Sequence, residues 1–281
     1  MEWIEKLNKS INYMEENMTE EIDYEQVAKI ACCSSYHFQR MFSYLANVPL
    51  SEYIRRRRMT LAVVDLQNGM KVIDVAVKYS YDSPTAFNRA FQSVHGVAPS
   101  AVKKDGVFLK AFPPVNFKIT VKGVEEMNFR IEKKDAFRIV GVSEPLHKDI
   151  EKNFEIVPQM WNKANINGTV QKLAAMMDGQ PTGLLGVSAC NNSENWRYFI
   201  AVASSKEVGD SFEEYTIPEF KWAIFSGEGQ GLTVQELEKC IITEWLPTSG
   251  YEYDNGPDIE VYLSPDPQNM KFEVWIPVRS K

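Results

Sequence analysis

An internal repeat restricts the fold of this chain more than any other feature of the sequence. Residues 27–42 read VAKIACCSSYHFQRMF, and residues 75–91 read VAVKYSYDSPTAFNRAF. With one residue inserted in the second copy, Phe38, Phe42 and Leu45 align with apolar residues 49 positions later. Apolar residues at this spacing form one stripe of an amphipathic helix. Each copy therefore predicts a short helix, a turn of about four residues and a longer helix, which is the helix-turn-helix pattern.

The second helix of each copy also has a polar face. Arg, Gln and Asn side chains match the hydrogen-bonding edges of guanine and adenine in the major groove. Ser83 and Pro84 predict the N-terminus of the second such helix, and recognition helices usually read bases near that end. Any surface helix can carry these residue types, but their repetition in register favours DNA recognition. The first helix is expected to present Tyr36, Gln39, Arg40 and Ser43 on one side, and the second Thr85, Asn88, Arg89 and Gln92.

The segment between the copies predicts a rigid spacer. Residues 50–67 lack Gly and Pro and have apolar residues at helical spacing, so they predict one helix that spans roughly 27 Å. This helix would place the two recognition helices in successive major-groove segments, about 34 Å apart. It carries four consecutive arginines at 55–58. We expect some of them to contact phosphates or carboxylates and others to pack their stems.

The charge distribution agrees with a local phosphate-binding surface. The whole chain has a net charge of −7, but residues 26–104 hold eleven Lys or Arg against four acids, a net charge of +7. Residues 1–25 have a net charge of −6, and residues 116–281 of −8. Charge alone is weak support, because a mixed solvated surface produces similar swings.

Targeting and cysteine patterns predict a reduced, cytoplasmic protein. No run of about 18 apolar residues predicts a membrane span, and the first residues lack the progression of a signal peptide. The four cysteines lack the spacing of metal ligands, and the three histidines are scattered. Neither a metal nor another cofactor is expected. The glycine-rich residues 227–231 lack a P-loop Lys and a third dinucleotide-type glycine, so they predict a tight connection.

The N-terminal motifs resemble the AraC/XylS family of bacterial regulators. The resemblance rests on SSYHFQRMF, PLSEYIRRRRM and VIDVAVKYSYDSPTAFNRAFQSVHGVAPS, and covers about residues 5–104. It implies an all-helical DNA-binding domain, which we expect at residues 1–110, with two lobes joined by the long helix. One departure is Tyr81-Asp82 after Ser80, where many members have Gly before an aromatic residue. By position, the resemblance implies that the base-reading residues are Tyr36, Gln39, Arg40, Thr85, Asn88 and Arg89.

The remaining residues predict an α+β domain at 111–281. Alternating apolar residues predict a strand through Phe117, Ile119 and Val121, and another at 129–131. Helices are predicted near 149–165 and 233–244. Further strands are predicted at 183–189, 198–203, 222–225, 259–263 and 271–278.

The last two predicted strands carry carboxylates beside aromatic residues. Alternation puts Glu273 and Trp275 on one face of the last strand, and Glu260 and Tyr262 on one face of the strand before it. If the two strands form a hairpin, Tyr262 could lie opposite Glu273. A carboxylate among aromatic rings suits an organic cation. The alternative is that these carboxylates occupy ordinary outward-facing polar positions of a sheet. Alternation alone favours this alternative over a ligand site.

A second resemblance concerns residues 127–281. FRIEKKDAFRIVGVSEP, VPQMW, GLLGVSA, YTIPEFKWAIFSGEG and FEVWIPV resemble the gyrase-inhibitor-like (GyrI-like) effector-binding domain. This resemblance implies two similar β-sheet and helix halves around a ligand cleft. The order of the two domains also resembles that of a known regulator. The implied ligand-binding residues are Glu273, Trp275, Tyr262, Trp161, Trp222 and Tyr251.

Two functions remain open from the sequence. The first is a transcription regulator that binds double-stranded DNA and responds to a small, cationic, amphipathic molecule, as in multidrug sensing, with RNA polymerase as a further candidate partner. The alternative is a small-molecule hydrolase fused to a DNA-binding domain, with Glu273 as general base. Fusion to a DNA-binding domain favours sensing over turnover, and no membrane partner is expected.

Overall fold

The chain forms two compact units, residues 1–119 and 120–281. The structure, a computed structural model, describes residues 2–104, 106–118, 127–147, 150–190, 195–208, 211–228, 233–264 and 270–281. The division falls later than the predicted boundary at residue 110, because Phe112, Val115 and Phe117 bond to side chains of the preceding helices. Within these ranges, no helix is both long and apolar enough to cross a membrane.

The first unit is entirely helical. Its elements are α1 (Glu2–Glu16), α2 (Tyr24–Ile30), α3 (Ser35–Ala46), α4 (Leu50–Gln67), α5 (Val72–Lys78), α6 (Pro84–His95) and a 3-10 turn (Pro99–Ala101). The pairs α2–α3 and α5–α6 are the two predicted helix-turn-helix units. The spacer helix α4 has the predicted bounds.

Local interactions explain where the two recognition helices begin and end. The Ser34 hydroxyl caps α3 by accepting the His37 amide, and Ser83 caps α6 by accepting the Ala86 amide. Each helix ends at a residue in the left-handed conformation, Asn47 after α3 and Gly96 after α6. The apolar stripe of α6 is buried, as predicted, and in α3 Phe38 and Phe42 are buried whereas Leu45 is half-buried.

The four arginines of α4 bind within the unit. Arg57 is buried and forms an ion pair with Glu15 of α1, with 2.7 Å between Nη2 and Oε2. The other three bind a carboxylate or the carbonyls that follow α1: Arg55 and Arg56 to Glu52, and Arg58 to the Met18 and Glu20 carbonyls. The predicted carboxylate contacts are confirmed. Phosphate contacts stay a prediction.

The second unit is α+β, as predicted. Its helices are α7 (Ile150–Ile166), α8 (Thr169–Met176), α9 (Val234–Cys240), a π-helical turn (Ile241–Trp245) and α10 (Leu246–Thr248). Its strands are β1 (Phe129–Lys134), β2 (Phe137–Pro145), β3 (Leu184–Cys190), β4 (Trp196–Ala203), β5 (Glu213–Ile217), β6 (Phe220–Glu228), β7 (Tyr251–Tyr253), β8 (Asp258–Tyr262) and β9 (Lys271–Ser280).

One predicted strand is wrong where it can be checked. Phe117 lies in an irregular segment, and its ring packs edge-on against Phe42 of the first unit, with 6.0 Å between ring centroids. Ile119 and Val121 lie outside the described residues. The glycine-rich stretch begins at the end of β6, and residues 229–231 also lie outside the described ranges.

The sheet is antiparallel and built from two similar halves. Its strand order is β1-β6-β9-β8-β3-β4-β2-β5, and β7 also pairs with β9. The first half contains β2, β3 and β4 with α7 and α8, and the second contains β6, β8 and β9 with α9. They meet where β3 pairs with β8. The outer strands are exchanged between the halves. Strand β1, which directly precedes β2 in sequence, pairs with β6 of the second half, and β5, which directly precedes β6, pairs with β2 of the first half. The predicted duplication is confirmed.

Two short links require this sheet to curve. Two residues join β1 to β2, and two join β5 to β6, although each link connects opposite ends of the sheet. Such a link spans at most about 11 Å. The sheet must therefore bend until its ends approach each other. The inner, concave face is filled by one apolar cluster that includes Ile139, Ile217, Trp222 and Trp275, and the helices pack on the outer face.

Candidate functional site

A carboxylate and three aromatic side chains meet on the outer face of the sheet, where its two halves join. The Glu260 Oε2 atom accepts hydrogen bonds from Tyr198 Oη at 2.9 Å and Tyr262 Oη at 2.8 Å. Trp161 Nε1 donates to Tyr198 Oη at 2.9 Å. Trp161 and Tyr198 come from the first half, and Glu260 and Tyr262 from the second. We call these four residues the Glu260 cluster.

A glycine beneath the cluster makes this contact possible. Gly186 of β3 pairs directly with Glu260 of β8. A Cβ atom at position 186 would overlap Tyr198 Oη and lie 2.7 Å from Glu260 Oε2. Only a residue without a side chain therefore lets the tyrosine hydroxyl reach the carboxylate across the junction.

The electrostatics of the cluster keep both tyrosines as hydrogen-bond donors. Burial raises the pKa of Tyr198 and of Tyr262, and the charge of Glu260 raises both further. A second carboxylate lies near the cluster, since Glu238 of α9 is buried and its charge also raises the pKa of Tyr262. The site therefore combines negative charge with neutral phenol groups.

The shape of the cluster suits a cation with apolar groups. The Trp161 and Tyr262 rings meet edge to face with 5.1 Å between centroids, and both side chains are half-buried. The negative faces of aromatic rings and a carboxylate both attract positive charge, and the attraction is stronger where water is excluded.

Glu273, the predicted centre of the ligand site, lies on the opposite, concave side of the sheet. Its carboxylate binds Arg130 Nη1 at 2.8 Å and Arg130 Nη2 at 3.2 Å, and it accepts a hydrogen bond from Trp275 Nε1 at 2.8 Å. The hydrogen bond to Glu273 raises the pKa of the Arg130 guanidinium above its already high usual value. This carboxylate is therefore neutralised by a fixed cation of the protein.

The predicted facing of Tyr262 and Glu273 is wrong by one residue. Strands β8 and β9 do pair as a hairpin, but Tyr262 lies opposite Phe272, and Glu273 lies opposite Val261. A shift of one residue moves a side chain to the other face of a sheet. Glu273 and Tyr262 therefore lie on opposite faces.

The six predicted ligand-binding residues do not form one site. Trp161 and Tyr262 join the Glu260 cluster. Trp222 and Trp275 pack together in the concave core with 5.9 Å between ring centroids, and Tyr251 stacks on Trp245 beside β9. The sequence prediction missed Glu260 and Tyr198 as site residues. Alternation along β8 did indicate that Glu260 and Tyr262 share a face, whereas no sequence signal singled out Tyr198.

The two candidate DNA-reading helices differ in exposure. In α6, Thr85 and Arg89 are exposed and Asn88 is half-buried. In α3, Tyr36 is half-buried, but Gln39 is only 4% exposed and Arg40 only 8%. The polar face of α6 is accessible in this structure. Base reading by Gln39 and Arg40 stays a prediction, and it requires these side chains to become exposed.

Comparison with known proteins identifies both domains. Residues 127–279 match the family of GyrI-like small molecule binding domains, and residues 27–105 match a helix-turn-helix domain family. The second unit of this chain belongs to the GyrI-like family. The helix-turn-helix domain in the first unit is of the AraC type.

Relatives share either one domain or the whole layout. The transcriptional regulator Rob of Salmonella typhimurium is 23% identical over 286 residues, which cover 95% of this chain and 96% of Rob. The HTH-type transcriptional activator AarP of Providencia stuartii is 37% identical over 89 residues, which cover 31% of this chain and 66% of AarP. A solved structure, SAV2435 bound to tetraphenylphosphonium, is 17% identical and covers 54% of this chain and 94% of its own, with a TM-score of 0.47.

Proposed function

We propose that this chain regulates transcription by binding two successive major-groove segments of DNA and by sensing a small lipophilic cation at the Glu260 cluster. The observation that carries the ligand proposal is the Glu260 carboxylate, which accepts two tyrosine hydroxyls among aromatic rings where the two halves of the domain join. The membership of this domain in the GyrI-like family supports small-molecule binding here.

The DNA proposal rests on the helical unit. Helix α4 has 18 residues and separates two helix-turn-helix units whose second helices carry Arg, Gln and Asn. At about 1.5 Å per residue it spans roughly 27 Å, a length suited to successive major-groove segments. Because the polar face of α6 is exposed, we propose that Thr85, Asn88 and Arg89 make the primary base contacts.

The cation proposal follows from charge and ring chemistry. A ligand anion would meet the carboxylates of Glu260 and Glu238, whereas a cation is attracted to both. Apolar groups on the cation would pack against Trp161 and Tyr262. A carboxylate already held by two hydroxyl donors also needs little reordering when a ligand binds.

Hydrolysis is less well supported than sensing. The general base required by that alternative, Glu273, is ion-paired with Arg130 and faces the concave core. A carboxylate whose oxygens already bond to Arg130 and Trp275 is poorly placed to accept a proton from water. An interaction with RNA polymerase stays a prediction, and it follows from the proposed role in transcription.

The ligand proposal can be tested by calorimetric titration of the full chain with tetraphenylphosphonium, a lipophilic cation with four aromatic rings. We expect saturable binding, and we expect Glu260→Gln to weaken it by roughly tenfold or more, since the attraction between opposite unit charges a few ångströms apart near a protein surface is on the order of 1–4 kcal/mol. Glu273→Gln is the matched control and should bind like the wild type. Normal binding by Glu260→Gln together with loss in Glu273→Gln would place the site on the concave face instead.

A further inference from the structure

Residues 109–117, which follow the second helix-turn-helix unit, lie against the helices of the first unit. We call this segment the strap. Four of its backbone amides each donate to a side chain from α6, α4 or α1. The pairs are Lys110 to His95 Nδ1 at 3.2 Å, Phe112 to Thr60 Oγ1 at 3.1 Å, Val115 to Tyr53 Oη at 3.4 Å and Phe117 to Asn8 Oδ1 at 2.9 Å.

The sequence of the strap fits this arrangement. Residues two apart in an extended chain point the same way, so the amides of Lys110 and Phe112 face the helices together, as do those of Val115 and Phe117. The two residues between these pairs, Pro113 and Pro114, have no N–H group that would be left without a partner. The strap therefore places four donors toward the helices, and the two prolines between the pairs add no further donor.

We call α1–α3 the first lobe and α5–α6 the second lobe, with α4 between them. The two ends of the strap are anchored in different lobes. At its start, Leu109 and Phe112 pack on the apolar core of the second lobe, which contains Phe87 and Phe91. At its end, the Phe117 ring packs on Phe42 of α3.

The hydrogen bonds show the same division. Lys110 is held by His95 of α6, whereas the carbonyl of Phe117 accepts a hydrogen bond from Asn8 Nδ2 of α1 at 3.0 Å. Between these ends, Arg57 of α4 donates to the Phe112 carbonyl.

We propose that the strap fixes the two recognition helices relative to each other and so limits which spacing of the two DNA half-sites the protein accepts. Helix α4 also joins the lobes, and Arg58 and Ser80 contact the carbonyls that follow α1. The strap continues the chain from the second lobe and is held on the first by hydrogen bonds and ring packing, so it opposes rotation about the ends of α4. This inference rests on the proposed reading of two successive major-groove segments.

Half-site spacing provides the test. The full-length wild type is first used to select duplexes from a randomised library, and one base pair is then inserted between the two selected half-sites. The insertion moves one half-site by about 3.4 Å and about a tenth of a turn. We expect the wild type to lose affinity on the order of tenfold to hundredfold, which is the cost of about one mispaired contact or more.

Asn8→Ala removes both hydrogen bonds at the end of the strap, so we expect the penalty for the inserted base pair to shrink severalfold. Affinity for the selected site should change less than the penalty does. Asn17→Ala is the matched control, because among the described residues the Asn17 side chain bonds only to the nearby Tyr13 carbonyl, at 2.7 Å. Asn8→Asp keeps an acceptor for the Phe117 amide and should retain most of the wild-type penalty.

The outcomes separate the strap from the proposed function. An unchanged penalty in Asn8→Ala, with a full penalty in the wild type, would overturn the role of the strap. A wild type that is indifferent to the insertion would instead contradict reading of two segments. Hydrogen exchange provides a second readout, since the Phe117 amide should exchange faster in Asn8→Ala than in Asn17→Ala. Equal exchange in these two variants would also contradict the anchoring.

Discussion

At the scale of single residues, Gly186 determines whether Tyr198 and Glu260 can meet. Alanine at this position would push its Cβ into the tyrosine hydroxyl and toward the carboxylate. We expect Gly186→Ala to lower the affinity for tetraphenylphosphonium by about 0.5–1.5 kcal/mol, because a Glu260 side chain that Tyr198 no longer holds must be ordered when the cation binds. Titration calorimetry measures this loss.

Gly250→Ala is the control for that substitution, because a Cβ atom at position 250 meets no atom within 4 Å. The control should bind the cation like the wild type. Equal affinities in all three proteins would mean that the Tyr198–Glu260 contact does not contribute to ligand binding.

Arg89 is the most accessible arginine of the candidate base-reading set. A guanidinium that bonds to a guanine edge contributes specificity as well as affinity. We expect Arg89→Ala to cost about 1–3 kcal/mol on the selected site and to relax the preference at one position. Competition binding on single-base variants of the site tests this. An equal loss on every sequence would make Arg89 a phosphate contact.

Arg40 is predicted to behave in the same way only where α3 is accessible. Its side chain is 8% exposed, and its guanidinium lies 5.9 Å from the centre of the Tyr44 ring. The residue types of α3 were readable from the repeat, but their burial was not. Helical periodicity identifies the face that a residue shares with its neighbours and does not show what covers that face.

The Glu260 cluster shows the same limit of sequence reasoning. Alternation along β8 correctly placed Glu260 and Tyr262 on one face. It did not give the register between β8 and β9, and one residue of shift moved Glu273 to the concave face. Register depends on long-range packing that no local pattern records. The resemblance to a family pointed to Glu273, and only the geometry pointed to Glu260.

At the scale of elements, the strap makes the helical unit sensitive to pH. His95 is buried, accepts the Lys110 amide at Nδ1 and lies 3.2 Å from the Met59 carbonyl at Nε2. Burial lowers the pKa of His95 from its usual value of 6.5, and the charge of Lys110 contributes in the same direction. The folded state therefore holds this imidazole in its neutral form.

The sign of the pH effect follows from that shift. As the pH falls below 6.5, the unfolded chain binds a proton that the folded chain excludes, so the free energy of unfolding decreases. One proton contributes no more than about 1.4 kcal/mol per pH unit. We expect chemical denaturation to show a larger loss of stability between pH 7.5 and 5.5 in the wild type than in His95→Gln. Identical pH profiles would contradict this assignment.

Elements with strong local signals were predictable, and the strap was not. Helix α4 has its predicted bounds because 18 residues without Gly or Pro carry helical periodicity. The strap contains Phe117 in an alternating pattern that is typical of a strand. It bonds instead to side chains of α1, α4 and α6, and the sequence gives no signal for such partners.

At the scale of the whole molecule, the exchange of β1 and β5 was the least predictable feature. Two-residue links between consecutive strands usually indicate hairpins. Here the links at residues 135–136 and 218–219 cross between the two halves, and the strands that they join are not paired. The duplicated halves explain this result, because each half can accept the outer strand of the other. The order of the elements along the chain could be predicted from the sequence. Which strands pair could not, because the pairing depends on the curvature of the complete sheet.

The two proposed sites belong to one account only if they are coupled. A cation can change DNA affinity only when its affinity differs between the DNA-binding states, and the coupling must then be reciprocal. If tetraphenylphosphonium changes DNA affinity by some factor, DNA must change the affinity for the cation by the same factor. This coupling is the central claim of a ligand-responsive regulator.

The most direct measurement is the affinity of the full chain for its selected duplex, over a range of salt concentrations, with and without saturating tetraphenylphosphonium. We predict tight, sequence-selective binding that shifts severalfold with the cation in the wild type and in Glu273→Gln, and does not shift in Glu260→Gln. Sequence-selective binding that is indifferent to the cation in all three proteins, or a shift that persists in Glu260→Gln, would contradict the account.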